Sequence, residues 1–177
     1  MNLKKAQVWV ETAIYTLIGL TIIAILLTTA TPQIEKIKDK GIISQTAEAL
    51  DILNNKFYEI SLSAGNSRII EFTVAKGRVE IDTSKNLIQY VMEDTRFKLS
   101  EPGQVIKEGD ITILTKERGA RFDIYLTLNY TDKFDLTFNN QERVEILQAG
   151  TTPYKIQIEN VGDSPLIENP HIDINLL

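Results

Sequence analysis

A run of 19 residues without a charge, Thr12 to Ala30, dominates the N-terminal part of this chain. A helix of that length is about 28 Å long, close to the thickness of the hydrocarbon core of a bilayer. A cleaved secretory signal has a shorter apolar core of about 7 to 15 residues, followed by a small-x-small cleavage site. Here the apolar run is longer and continues into a helical pattern. The sequence therefore predicts a retained transmembrane helix.

Lysines flank this run on both sides. Lys4 and Lys5 precede it, while Lys36, Lys38 and Lys40 follow it, so the excess of positive charge does not give the orientation in the membrane. In the second group the lysines alternate with acids over residues 35–40. This charged stretch predicts a solvated or headgroup-facing turn of helix, with ion pairs to another chain as the alternative.

The composition excludes several classes of function. The net charge of -5, with no basic stripe free of acids, argues against a nucleic-acid partner. The chain has no cysteine, so it has no disulfide, thiolate nucleophile or cysteine-ligated metal. Its single histidine, His171, lies near Asp173 without a second ligand at metal-binding spacing, and no phosphate-binding loop is present. The sequence predicts no enzyme, no metal site and no cofactor.

Glu11 lies at the edge of the apolar run, directly after Val8, Trp9 and Val10. A charge at this depth costs roughly 1 kcal/mol or more unless it is paired or hydrated. Two interpretations follow from its position alone. Glu11 is hydrated at the level of the headgroups, or it meets a positive charge supplied by another chain.

Residues 1–30 resemble the class III signal peptide of archaeal type IV pilins and archaellins. The resemblance is carried by the short basic leader MNLKKA, by Gln7, by the run QVWVE with Glu at its fifth position, and by the apolar helix. It implies that a prepilin peptidase cuts between Ala6 and Gln7, which makes residues 1–6 the leader and Gln7 the first residue of the mature chain. Ala6 replaces the Gly of bacterial prepilins, which points to the archaeal group, and Trp9 is bulkier than the residue usual at its position.

The resemblance implies a structural subunit, major or minor, of a type IV pilus-like surface filament. In such a filament the α-amine of Gln7 would pair with Glu11 of an adjacent subunit. The implied partners are identical or related pilins, the prepilin peptidase, an assembly platform with its ATPase, and the lipid membrane that holds the precursor. The mature subunit would lie in an extracellular filament. Its helical core would be formed by Thr12, Ala13, Ile14, Leu17, Ile18, Leu20, Ile22, Ile23, Ile25, Leu26 and Leu27.

Beyond the apolar run, Pro32 removes one helical hydrogen bond and predicts a kink. Apolar residues then recur every three or four positions, which predicts that residues 7–60 form one helix with a stripe buried against the head. The stripe comprises Ile43, Ala47, Leu50, Leu53, Phe57 and Ile60.

Residues 61–66 are a predicted linker, and residues 67–177 are a predicted β-rich head, which the resemblance to pilins places outside the cell. In this region the period changes to two, with eight or nine short strands separated by turn residues and no helix between them. The predicted fold is α+β, with a long N-terminal transmembrane and stalk helix followed by an antiparallel β-sandwich-like head.

Two questions stay open at the level of sequence. The chain also fits a membrane-anchored extracellular domain that binds a ligand or partner and keeps an uncleaved signal anchor. In the head, Asn129-Tyr130-Thr131 matches an N-glycosylation sequon.

Overall fold

The computed structural model describes the backbone of residues 3–163 and 169–177 and the side chains from Val8 onward within those ranges. In the described residues one α-helix, α1 (Leu3–Ser61), precedes ten β-strands. The predicted order of a long apolar N-terminal helix followed by a β-rich region is therefore confirmed. Met1, Asn2 and the side chains of Ala6 and Gln7 lie outside the described residues.

Helix α1 is 59 residues long and contains Pro32 without interruption. The kink predicted at Pro32 stays a prediction. In the apolar half, threonine hydroxyls donate to carbonyls one turn earlier, as Thr16 does to Thr12 over 2.8 Å and Thr31 to Leu27 over 2.8 Å. These bonds satisfy the hydroxyls within the helix, which suits an apolar environment.

The strands form two sheets. The four-stranded sheet has the order β1 (Ser67–Phe72), β9 (Tyr154–Asp163), β10 (Pro170–Leu176) and β7 (Asp135–Phe138). The six-stranded sheet has the order β4 (Val105–Glu108), β5 (Ile111–Arg118), β6 (Arg121–Asn129), β3 (Leu87–Thr95), β2 (Arg78–Asp82) and β8 (Val144–Gln148).

Two details differ from the sequence prediction. Strand β4 was not predicted, because its four residues are all exposed and give no alternation of apolar and polar positions. Strands β7 and β10 pair in parallel, with Leu136 opposite Ile172, so the prediction of a wholly antiparallel head is wrong for this pair. Parallel neighbours need a long connection, and here the chain returns through β8 and β9 before β10 is reached.

The second half of α1 supplies part of the core. The predicted stripe is confirmed, since Ile43, Leu50, Leu53, Phe57 and Ile60 are at most 4% exposed, while Ala47 is half-buried. The stripe belongs to one hydrophobic cluster with inward-facing residues of both sheets. The aromatic ring of Phe57 lies 5.1 Å from that of Tyr130, centroid to centroid. The helix therefore holds the two sheets together from residue 43 onward.

Candidate functional site

The first half of α1 has an apolar surface that no other part of the described chain covers. Every side chain from Val8 to Thr31 is exposed, including all the residues predicted to form the filament core or membrane helix. The most apolar window has a mean hydropathy of 2.1 and none of it is buried, which makes α1 long and apolar enough to cross a membrane. Leu17 and Ile25, for example, are 66% and 59% exposed. A surface of this size needs a cover, from lipid or from other chains.

Glu11 lies on this exposed segment, one helical turn after Gln7. It is the only charged residue between Lys5 and Glu35. The single chain does not test a contact between copies, so the predicted pair of Glu11 with the α-amine of a neighbour stays a prediction, as does cleavage between Ala6 and Gln7.

The head is fixed to α1 directly after the apolar half. Asp39 is 4% exposed, and its carboxylate accepts hydrogen bonds from Thr95 Oγ1 over 2.6 Å and from Lys76 Nζ over 2.5 Å. One turn earlier, Glu35 Oε2 lies 2.9 Å from Arg96 Nε. Because Glu35 and Asp39 are four residues apart, they share one face of the helix and meet the head together.

The loop between β1 and β2, residues 73–77, brings Lys76 to Asp39. The next residue, Gly77, has a φ of +78°, and a Cβ there would lie 2.3 Å from the carbonyl oxygen of Val91. Only glycine allows this approach of the two backbones. The carbonyl of Lys76 in turn accepts a hydrogen bond from the buried Tyr90 hydroxyl over 2.7 Å. The backbone at Lys76 is therefore tied to the core while its side chain reaches the helix.

These contacts place the acidic and the basic side chains of residues 35–40 on different sides of the helix. The acids Glu35 and Asp39 face the head, whereas Lys36, Lys38 and Lys40 are exposed. The prediction of a solvated or headgroup-facing turn is therefore wrong for Asp39, which is buried, whereas the Glu35 side chain is 45% exposed. The exposed charges of this turn that are not in an ion pair within the described residues are therefore the three lysines, although the sequence there is nearly balanced in charge.

A second polar cluster fixes the far end of α1 to the head. Asn54 Nδ2 donates to Asp110 Oδ2 over 2.9 Å, and Lys133 Nζ lies 3.1 Å from Asp110 Oδ1 and also donates to the Tyr58 hydroxyl. The hydrogen bonds from Asn54 and then from Lys133 hold the pKa of Asp110 below its ordinary value. The hydrogen bond to Tyr58 raises the pKa of Lys133, so the pair is charged at neutral pH.

Between the two clusters a cavity of about 400 Å³ opens where α1 passes strands β5 and β6. Its floor is apolar and its opening carries the acidic side chains of Glu48, Asp51 and Glu108. Nothing in the local sequence pattern predicted it. The cavity arises because the helix meets a part of the head that is distant in sequence, namely the loop after β3, the β4–β5 turn and strands β5 and β6.

His171 and Asp173 do not form a direct pair. His171 Nε2 lies 2.9 Å from Thr137 Oγ1, and this hydroxyl donates to Asp173 Oδ1 over 2.6 Å. Asp173 is 2% exposed and also accepts a hydrogen bond from the backbone N–H of Asn140 over 2.7 Å. These contacts fasten β10 to β7. Among the described residues, no group of three or more His, Asp or Glu side chains is placed to hold a metal ion.

Asn129 is the last residue of β6 and is exposed. Its Oδ1 accepts hydrogen bonds from the backbone N–H and the hydroxyl of Thr131, over 2.9 Å and 2.6 Å. The sequon is therefore accessible at a strand end, and its glycosylation stays a prediction.

Comparison of the chain with protein-family profiles, with curated proteins and with solved structures gave no match.

Proposed function

We propose that this chain is a structural subunit, major or minor, of an archaeal type IV pilus-like surface filament. The observation that carries the proposal is the division of α1 into two halves. Residues 8–31 are exposed and, apart from Glu11 and the threonines, mostly apolar, whereas the stripe from Ile43 to Ile60 is core of the head. A chain of this kind needs an apolar cover for half of its helix, which is lipid before assembly and the helices of other subunits afterwards. The resemblance of residues 1–30 to class III signal peptides favours a filament.

In this proposal a prepilin peptidase removes residues 1–6 by cutting between Ala6 and Gln7. The new α-amine on Gln7 supplies the cation that Glu11 of an adjacent subunit pairs with, which lowers the cost of holding a carboxylate among apolar helices. Identical subunits then repeat one heterologous contact that does not close, and a filament results. An assembly platform and its ATPase would extract the helix from the membrane.

The head stays outside the cell in both the precursor and the filament. Its two sheets would form a sandwich-like unit around the second half of α1. Two facts support this arrangement: α1 contacts strands of both sheets, and the residues between them form a single hydrophobic cluster. The polar clusters at Asp39 and Asp110 hold the helix at both ends of the head, so a pull on the helix is transmitted to the head as a unit.

A second candidate function is a membrane-anchored binding domain whose signal anchor is never cut. The cavity beside α1 favours it, since a solvent-accessible cavity of about 400 Å³ is large enough for a small ligand. In that case α1 would remain in the bilayer and the chain would stay monomeric.

The test is the mass of the N-terminal peptide of the protein purified from its native cells. A mature chain that begins at Gln7 and is enriched in a sheared filament fraction is the expected result. Retention of Met1 to Ala6 in all of the protein would reject the filament subunit and leave the anchored domain.

A matched pair of variants sharpens the test. The resemblance implies that the peptidase needs a small residue before the cut. Ala6→Leu should therefore accumulate as the uncut precursor in the membrane, whereas Ala6→Gly should be cut like the parent chain. Equal processing of both variants would contradict a prepilin-type cut at this position.

A further inference from the structure

The exposed side of α1 just beyond the apolar half carries a small apolar surface surrounded by cations. Ile34 and Ile37 are 51% and 70% exposed. Lys36, Lys38 and Lys40 are exposed around them, and none of the three is in an ion pair within the described residues. We call these five residues the basic knob.

The knob is basic because of the orientation of α1 relative to the head. Glu35 and Asp39, which would neutralise two of the lysines, point to the other side and are held by Arg96, Lys76 and Thr95. The acids therefore contribute to the attachment of the head and leave three cations on the free face. That face is apolar at its centre and positive at its edges.

The cavity beside α1 has the opposite character, and we call it the acidic pocket. Its rim consists of Glu48 and Asp51 on α1 and Glu108 at the end of β4, all exposed. No lysine or arginine lines it, and within the described part of the chain none of the three carboxylates is in an ion pair. The apolar residues that form its floor are Ile43, Ala47, Leu99, Ile111, Ile113 and Leu126.

We infer that the basic knob of one copy docks into the acidic pocket of a second copy, an inference that rests on the proposed assembly of identical subunits. Two isoleucines with three cations meet an apolar floor with three anions, so the apolar surfaces and the charges of the two sites are complementary. Complementary charge of this kind steers association and fixes register. Because knob and pocket are different surfaces, the contact is heterologous and repeats along a filament instead of closing into a dimer.

The positions of the two surfaces set the spacing of the copies. The centre of the knob, Ile37, and the helical floor of the pocket, Ala47, are ten residues apart on one continuous helix. At about 1.5 Å per residue this is about 15 Å along the axis. Two parallel copies joined by this contact are therefore offset by about 15 Å along the helix axis. The contact adds to the packing of the apolar helices and lies beyond it, nearer the head.

Disulfide trapping between two full-length copies tests the contact. The chain has no cysteine, so only introduced thiols can cross-link. One tagged copy carries Ile37→Cys and a second, differently tagged copy carries Ser44→Cys; Ser44 is exposed and lines the pocket. On mild oxidation of native cells the mixed dimer should form in the filament fraction. The matched control is Ile52→Cys, which is 50% exposed on the same helix and outside the pocket lining, and it should give about tenfold less dimer or lower.

Charge reversal gives an independent readout. Changing Lys36, Lys38 and Lys40 to Glu in the Ile37→Cys copy should lower the yield of mixed dimer about tenfold or more, because three attractive contacts become repulsive. Changing Glu48, Asp51 and Glu108 to Lys in the Ser44→Cys partner should then restore the yield. All six side chains are exposed, so the head should fold in each variant.

The outcomes separate this inference from the proposed function. Filaments that start at Gln7 but give no cross-link between positions 37 and 44, or a cross-link that charge reversal leaves unchanged, overturn the docking and leave the filament intact. A chain that is uncut and never forms filaments overturns both. If charge reversal weakens binding of the full chain to vesicles of anionic lipid, but not to vesicles of neutral lipid, and leaves the cross-link unchanged, the lysines serve the membrane surface and the docking is overturned.

Discussion

Asp39 and Thr95 are hydrogen-bonded in the interior of the head, with Thr95 Oγ1 2.6 Å from Asp39 Oδ2. Asp39 belongs to a helix and Thr95 to the end of β3, 56 residues later. The same carboxylate binds Lys76, so one acid connects α1 both to the end of β3 and to the loop before β2. This connection lies directly beyond the apolar half of the helix, where a force on that half first reaches the head.

Asp39→Ala should lower the free energy of unfolding by about 1 to 3 kcal/mol, because it leaves the buried Thr95 hydroxyl without its acceptor. Urea unfolding of the full chain in detergent micelles, followed by circular dichroism, measures this loss. Lys38→Ala is the control, since Lys38 is exposed on the neighbouring position, and it should change the free energy by no more than about 0.5 kcal/mol. Equal effects of the two substitutions would show that the interior contact is not stabilising.

The contrast between Asp39 and Phe57 explains how far the sequence could predict the fold. Phe57 and the other stripe residues repeat at helical spacing, and that periodicity alone identifies the face that the head covers. Asp39 lies in a run of alternating charges, where periodicity of apolar residues gives no information. Its burial depends on Lys76 and Thr95, which are distant in sequence and become neighbours only after the sheet has formed.

The strands show the same limit. Alternation of apolar and polar residues revealed most of them, because one face of each is buried. Strand β4 has no buried face, so its pairing with β5 is set by the β4–β5 turn and not by its own pattern. The parallel pairing of β7 with β10 and the acidic pocket both depend on which distant segments become neighbours, and local pattern does not encode that choice.

Phe57→Ala should destabilise the chain by about 3 to 5 kcal/mol, because it removes a fully buried ring from the contact of α1 with Tyr130 and Phe134. We expect proteolysis at α1 to become faster at temperatures where the parent chain resists. Urea unfolding in detergent micelles measures the change in free energy. Ile52→Ala, at a position 50% exposed on the same helix, should stay within about 0.5 kcal/mol of the parent.

Asp110 should make the stability of the contact between α1 and the head depend on pH. Its pKa in the folded chain lies below its ordinary value, mainly through the hydrogen bond from Asn54 and then that from Lys133. A lowered folded-state pKa means that Asp110 stabilises the chain fully above the unfolded-state pKa of about 3.9, and that this contribution is lost as the pH falls through the folded-state pKa.

We therefore expect Asp110→Asn to be less stable than the parent chain at neutral pH by about 0.5 to 1 kcal/mol, a small value because the Asp110 side chain is 43% exposed. The difference should shrink as the pH falls below about 4. Unfolding curves of the full chain in detergent at several pH values provide the measurement. Asp132→Asn, an exposed acid in the loop next to Lys133, serves as the control, and a constant difference at all pH values would contradict the role of Asp110.

Glu11 should act in assembly and not in processing or folding. Glu11→Ala and Glu11→Gln remove the only charge between Lys5 and Glu35, so no carboxylate remains to pair with the α-amine on Gln7 of a neighbouring subunit. We expect both variants to be cut after Ala6 and to reach the membrane at parental levels or above, since an uncharged residue is cheaper to insert. Filaments in the sheared fraction should be lost, and Glu11→Asp should restore them in part because the charge returns on a shorter side chain.

Glu142→Gln, at an exposed acid of the head, controls for the removal of one charge. If Glu11→Gln assembles as well as the parent chain, helix packing alone sets the register and the electrostatic pair has no part in it.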